Sequence, residues 1–274
     1  MKTIVAIGDV HVGDRFAVAP LNFQTSLGTE HELDQGQSYL LGCFEHFQKQ
    51  LPKKFDILLI NGDVIQGTRQ ARDVWEPDDV FQSRAAAELL KPLAKRARKT
   101  YVVRGTLWHG GEGNQAEELV GEALGAEKWE SSYCHPWLHL NLDGVKLDVS
   151  HAQSIMTRYR TSSLDREIQY APLLREWGGE ADLIIRSHSH HFSFVNIEGK
   201  LALSLPGWQL QNVFLQLSKQ PSRNFPKFLG GARIDIWPKR KEGDRQDASE
   251  YITVKPILYP HPLLTQEILI ETQA

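Results

Sequence analysis

The chain alternates between short apolar runs and longer amphipathic stretches. Residues 1–7 carry β-branched Ile4, Val5 and Ile7 and read as a buried strand that Gly8 ends. Leu40, Phe44, Phe47 and Leu51 follow a 4-3-4 spacing, so residues 38–50 are predicted helical, with Pro52 as the stop. Residues 55–60 are almost continuously apolar, as in a strand covered on both faces. Asp78 or Asp79 then caps a helix that turns Phe81, Ala85, Leu89 and Leu93 to one side, with Pro92 placed to kink it. The basic cluster at 95–99 reads as the last turn of that helix, where cations suit the dipole. A third strand is expected at 100–103, and a helix capped by Asn114 at 114–124. Asp143-Gly144, between 137–142 and 145–149, marks a hairpin. A helix over 163–177, interrupted near Pro172, precedes strands at 182–185, 192–197, 201–205, 232–237 and 252–259.

Strands and helices alternate in the first two thirds, and strands gather later. That order predicts a layered α/β sandwich. No linker-like segment divides the 274 residues, so a single domain with a β-rich C-terminal part is expected over 1–274. Two polar stretches, 12–37 and 66–77, break the pattern, and loops this long in a compact fold are usually functional. Hydrophobic residues at 41% and charged residues at 24% are ordinary for a globular chain. A net charge of -3 excludes a global basic field for non-specific nucleic-acid binding, though not a local basic groove. Cys43 and Cys134 lack metal-pair spacing and read as buried thiols. No apolar run reaches the length of a membrane span, and the start lacks the features of a signal peptide. A cytoplasmic protein without membrane contact is the expectation.

Candidate chemistry changes this picture. Five strand ends carry carboxylate, imidazole or hydroxyl groups: Asp9-Val10-His11, Asn61-Gly62-Asp63, Gly105-Thr106-Leu107-Trp108-His109, Ser150-His151 and Ser187-His188-Ser189-His190. Strand ends are where open α/β sheets place ligands. Singly, most are weak. An Asp-x-His is as readily a satisfied polar pair, Gly-Asp is a common turn, and a lone His109 is more often a surface or core residue. Ser-His-Ser-His is stronger, because imidazoles two apart project to one side. The whole series in order is hard to assign to coincidence. Oxygen and nitrogen donors without thiolate favour a divalent ion such as manganese, iron, zinc or nickel. The donors exceed what one tetrahedral ion needs, and a two-metal site can acidify a bridging water and stabilise phosphoryl charge. His31, His46, His135, His139 and His261 lack such a setting and read as structural or exposed. His191 is left open.

The series Asp9-x-His11, Gly62-Asp63, Gly105-Thr106-x-x-His109, His151 and His188-x-His190 resembles the calcineurin-like metallophosphoesterase superfamily over roughly residues 2–206. The resemblance implies a four-layer α/β/β/α sandwich, two divalent ions (manganese first, with iron, zinc or nickel as alternatives), and hydrolysis of phosphomonoesters or phosphodiesters, with diesters the expectation for this chain, by a metal-bridging hydroxide. It implies Asp9, His11 and His190 on the first ion, Asp63 as the bridge, and His151 and His188 on the second. One segment departs from the family's Gly-Asn-His. Thr106 stands in place of Asn, offering a neutral oxygen, and His109, which would assist the leaving group, is displaced by two residues. This variant, the long loop after Asp-x-His and Pro206-Gly207-Trp208-Gln209 look similar to phage- and prophage-encoded members.

Two other functions stay open: a catalytically weak member serving as a binding scaffold, and a nuclease acting on DNA or RNA. Arg69, Arg72 and Arg104 are the candidate substrate contacts, with Arg15, Arg158 and Arg160 also near the motif loops. Scattered surface charge explains such arginines equally well. The substrate expected is a phosphate ester, with a nucleic acid as one form of it.

Overall fold

The first strand, β1 (Lys2–Ile7), is buried almost throughout. In this computed structural model, residues 1–69, 73–110, 115–152, 161–170, 181–210, 227–239 and 247–262 are described. Helix α1 (Gln35–Gln50) starts three residues before the helix expected over 38–50. Asp34 accepts from the backbone N–H of Gln37 at 2.8 Å, and the Gln37 side chain returns a bond to Asp34 N–H. This capping box fixes a polar first turn that periodicity cannot register. Asp34→Ala should cost about 1 kcal/mol in urea unfolding, with the slope of the transition unchanged.

Strand β2 (Phe55–Asn61) leads to α2 (Asp79–Ala94), capped by Asp78, whose side chain accepts from Val80 N–H at 2.8 Å and Phe81 N–H at 3.0 Å. The helix stops there. Ala97 to Lys99, expected in its last turn, instead open β3 (Ala97–Val103), where Ala97 pairs with Phe55 and Lys99 with Ile57. Pairing along the full length of β2 outweighs the local preference for helix. The cations still find a helix end, but another one. Arg96 donates to the carbonyls of Gln48, Leu51 and Pro52 at 2.9, 2.8 and 2.6 Å, where α1 terminates.

The Gly105–His109 turn contains a four-residue helix, α3 (Leu107–Gly110), followed by α4 (Gln115–Leu124); Asn114 lies outside the described residues. A two-residue β4 (Cys134–His135), too short to show a pattern, precedes the hairpin of β5 (Leu138–Leu142) and β6 (Val145–Val149). Its Asp143 and Gly144 take φ of 55° and 91°, the left-handed pair that a tight hairpin requires. Then come α5 (Ser162–Tyr170), β7 (Leu183–Arg186), β8 (Ser193–Ile197), β9 (Lys200–Ser204), β10 (Phe228–Ile236) and β11 (Ile252–Pro260). The second half of the expected 163–177 helix, Pro172 included, lies outside the described residues.

One sheet has the order β11-β10-β1-β2-β3-β4 and the other β5-β6-β7-β9-β8. β1, β2 and β3 run parallel, as do β6, β7 and β9. The late strands β10 and β11 return antiparallel beside β1. Alternation along β1 explains its unbroken apolarity. Val5 and Ile7 face a core with Leu40, Phe44 and Phe47 of α1, Leu90 and Leu93 of α2, and Val120 of α4. Ile4 and Ala6 face the other sheet, in a core with Leu147, Val149, Leu183, Ile185 and Leu203. Leu164 and Ile168 of α5 cover Ile184 and Ala202 on the far side. The layers are therefore helix, sheet, sheet, helix, the expected α/β/β/α sandwich. Among the described residues no helix is long and apolar enough to cross a membrane.

Candidate metal centre

The parallel strands deliver their C-terminal turns to one place. Beyond Ile7 the pairing of β1 with β2 continues through the turns: Asp9 N–H donates to Gly62 O at 3.1 Å, and His11 N–H to Asp63 O at 3.0 Å. His188 N–H of the second sheet donates to Asp9 Oδ2 at 2.9 Å, joining the two sheets at this edge. Asp9, His11, Asp63, His188 and His190 all take positive φ, between 47° and 70°. Non-glycine residues seldom do, and such conformations gather where surrounding structure holds them for a purpose. Gly62, at φ 76°, is packed so that a Cβ there would overlap His151 Nδ1. Gly62→Ala should therefore cost about 2–4 kcal/mol in urea unfolding, the sum of left-handed strain and overpacking.

Potential ligand atoms fall into three groups, each within 4.8 Å: Asp9, His11 and His190; Asp63, His151 and His188; and His11, Asp63 and His109. The structure thus brings together six of the seven residues expected to hold metal, and His109 with them, while the seventh, Thr106, spends its hydroxyl on Asp63. Asp9, His11, Asp63 and His151 are buried, while the His188 side chain is 51% exposed at the mouth.

Hydrogen bonds around the cluster set the imidazole lone pairs. His11 Nδ1 lies 3.0 Å from Gln66 Oε1, and His151 Nδ1 lies 2.8 Å from Asn61 O. Both partners only accept, so both protons sit on Nδ1 and both Nε2 atoms turn inward. His11 Nε2 is 3.2 Å from His190 Nε2, and His151 Nε2 is 2.9 Å from Asp63 Oδ2. The buried Asp9 Oδ1 has no hydrogen-bond partner among the described residues. Inward ring nitrogens set this close to one another and to buried carboxylate oxygens fit a cation between them, which would take the place of the protons that otherwise hold them together.

The buried charges offset one another. Burial pushes the Asp63 carboxyl up, but the adjoining His151 imidazole prevails and holds it well below the usual carboxylate range. Burial likewise opposes Asp9, and His190 and His151 outweigh it and keep it low. His151 is pushed up to about 9, Asp63 and Asp9 overcoming burial. Burial drives His190 down to about 4, against the pull of Asp9.

Thr106 meets the site through Asp63. Its N–H donates to Oδ1 at 2.6 Å and its hydroxyl to the same oxygen at 3.0 Å. The two extra residues before His109 are taken up by α3, which swings the imidazole back. His109 Nδ1 lies 2.6 Å from Gln66 O, and its ring meets His11 edge-on, centroids 4.5 Å apart. Burial, then the His11 imidazole, lower the His109 pKa.

The arginines are less unified. Arg69 is exposed and borders a cleft of about 450 Å³ with Thr68, Asp79 and Gly110, just past His109. Arg104 lies beside the buried thiol of Cys134. Arg72, Arg158 and Arg160 lie outside the described residues, and Arg15 is exposed, 3.7 Å from Asp34. The two polar stretches brace each other at the site. Arg15 N–H donates to Asp73 O at 2.8 Å and Trp75 N–H to Gly13 O at 2.9 Å. Trp75 stacks on His31 with centroids 4.1 Å apart and meets Phe23 edge-on, which makes it an anchor.

Three polar residues had no role assigned from the sequence, although Asn61 stood in one of its strand-end segments. Gln66 touches two histidines. Asn61 orients His151 and donates to Ser187 Oγ at 2.8 Å. Glu117 is wholly buried behind Gly105 and Asp63, and burial, then Asp63, push it up to about 7. Its signal was present: a carboxylate on the apolar stripe of α4, between Ala116 and Val120. His31, His46, His135 and His139 bind Gln37, Tyr259, Glu127 O and Asp148, away from the cluster.

Residues 2–106 match the family model described as calcineurin-like phosphoesterase. No curated protein matches the chain. Among solved structures it is similar to Vps29 of Entamoeba histolytica complexed with zinc, at 13% identity and TM-score 0.45, covering 93% of this chain and 98% of that one. A predicted phosphoesterase of Streptococcus pneumoniae is similar at 14% identity and TM-score 0.38, covering 93% and 97%. An archaeal phosphodiesterase is similar at 11% identity and TM-score 0.43, covering 93% and 99%.

Proposed function

We propose that the chain is a calcineurin-like phosphoesterase that uses two divalent ions, manganese first, to hydrolyse phosphate esters, diesters in particular. The observation that carries this reading is the cluster itself: Asp9, His11 and His190 on one side and Asp63, His151 and His188 on the other, with the Nε2 atoms of His11 and His151 turned inward and a buried Asp9 Oδ1 that accepts no hydrogen bond among the described residues. Six donors in two groups suit a pair of ions, with Asp63 shared. The family match over 2–106 covers Asp9, His11, Asp63 and Thr106. Divalent ions bound there supply Lewis acidity, polarising a phosphoryl oxygen and acidifying water.

The residues themselves do the rest. Thr106 and His151 hold Asp63 in place from opposite sides. The buried carboxylates attract cations and repel free anions, so a phosphate group enters only with its charge matched. His109 keeps its Nδ1–H on Gln66 O, and in its imidazolium form carries a second proton on Nε2, which passes to the leaving oxygen as its bond to phosphorus breaks and leaves the neutral ring behind; burial, which lowers its pKa, makes that form one that the acid side of neutrality favours. Arg69, in the cleft beside α3, is the arginine we assign to the remainder of the substrate. The test is a panel of bis-p-nitrophenyl phosphate, p-nitrophenyl phosphate, cyclic nucleotides, and single- and double-stranded DNA, with added manganese. Manganese-dependent turnover of the diester, abolished by chelation, is expected. Manganese binding without hydrolysis of any member would replace the enzyme by a binding scaffold.

A further inference from the structure

We infer that Gln66 is a positioning residue that sets the working nitrogen of two histidines at once. Its amide Oε1 accepts from His11 Nδ1 at 3.0 Å, and its backbone carbonyl accepts from His109 Nδ1 at 2.6 Å. An amide oxygen and a carbonyl offer no proton, so each ring carries its hydrogen on Nδ1 and keeps Nε2 for the site. The two rings meet edge-on with centroids 4.5 Å apart, so one residue governs both members of a contacting pair. The Gln66 amide is itself oriented. Gln209 Nε2 donates to the same Oε1 at 3.4 Å, which leaves the oxygen, and not the amide nitrogen, toward His11. The backbone around Gln66 is held on both sides. Gln66 N–H donates to Val12 O at 2.9 Å, and Gly67 N–H donates to the buried Gln82 Oε1 at 2.8 Å. Gly67 packs directly on the carbonyl of His109.

The two contacts are separable by substitution. Gln66→Met keeps the length of the side chain and the backbone carbonyl but removes the acceptor for His11. Gln66→Glu restores an acceptor oxygen at the same reach. The roles of the metal side and of His109 rest on the phosphoesterase reading; the ring orientations do not. The experiment uses the full chain, with manganese titrated while its free ion is followed by electron paramagnetic resonance. Gln66→Met should weaken one of two binding steps about 10–100-fold, the range seen when a ligand's supporting partner is lost, and leave the other step near the parent value. Gln66→Glu should recover most of that loss. Two steps weakened alike, neither weakened, or a Gln66→Glu as weak as Gln66→Met would overturn the proposal. A metal-free measurement keeps it apart from the enzymatic reading. In chelated, 15N-histidine-labelled chain at alkaline pH, His11 and His109 should both be protonated at Nδ1, and Gln66→Met should release His11 alone. That result in a chain that binds no manganese would retain the positioning role and remove the phosphoesterase reading; an unchanged His11 would remove the positioning role even in an active enzyme.

Discussion

On the proposed two-ion reading, replacing Asp63 by Asn is expected to cost the site one or both ions while the fold stands. The carboxylate is buried, and both oxygens are engaged: Oδ1 by Thr106 N–H at 2.6 Å and Oδ2 by His151 at 2.9 Å. An asparagine can satisfy the same neighbours. Its oxygen accepts from Thr106, and its amide donates to the His151 Nε2 lone pair, since the ring's proton sits on Nδ1 against Asn61 O at 2.8 Å. What asparagine cannot supply is the charge that both groups of ligands share. Turnover should fall by at least about 10²–10³-fold, the scale of losing one electrostatic contributor at a reacting centre. Bound manganese should drop from two ions per chain to one or none. The midpoint of urea unfolding, measured with chelator present in both proteins, separates this from damage. Two ions retained with activity within tenfold would show that Asp63 bridges nothing.

The contrast between what was legible and what was not follows from range. Strand ends were legible because a strand covered on both faces is apolar throughout, and the first polar residues after it stand out; Asp9, Asp63, His151 and His188 all announce themselves so. Contacts between residues far apart in the chain were not. The cationic stretch after α2 was given to that helix's own dipole, whereas Arg96 reaches the carbonyls that end α1. Nothing local distinguishes these, because the partner lies more than forty residues away. Gln66 sits in a polar stretch with no periodicity, and its importance arises only when β1, β2 and α3 converge. Long arginine side chains gave the least. Arg104 follows β3 directly and yet lies beside Cys134, because strand position sets the backbone and leaves several rotatable bonds undecided. The turn at 105–109 shows the reverse case. Two extra residues looked as if they would displace His109, and a single helical turn absorbs them, since residues three and four apart on a helix return to one face.

That return makes His109 the sharper test of chemistry, as distinct from metal holding. Its ring is mostly buried, its Nδ1 is spent on Gln66 O at 2.6 Å, and its Nε2 is the one nitrogen left to serve a substrate. If that nitrogen protonates the leaving oxygen as the P–O bond breaks, its value depends on how much charge the leaving group must bear. General acid assistance is worth about 10²–10⁴-fold where the leaving group is basic. A p-nitrophenolate departs readily without a proton, and an alkoxide does not. His109→Gln keeps a polar side chain of similar reach whose amide can donate to Gln66 O, so the support of α3 against that carbonyl survives. The variant should retain its manganese, slow an alkyl phosphodiester by about 10²-fold or more, and slow bis-p-nitrophenyl phosphate by less than tenfold. Solvent exposure of Leu107 and Trp108 on the same short helix, 63% and 61%, allows the substitution without disturbing a core. Equal slowing of both esters would mean that His109 supports the site without moving a proton, and no slowing of either would make it a bystander. In both cases Asp9, His11, Asp63, His151, His188 and His190 would remain the proposed ligands, and the leaving oxygen would have to take its proton from water.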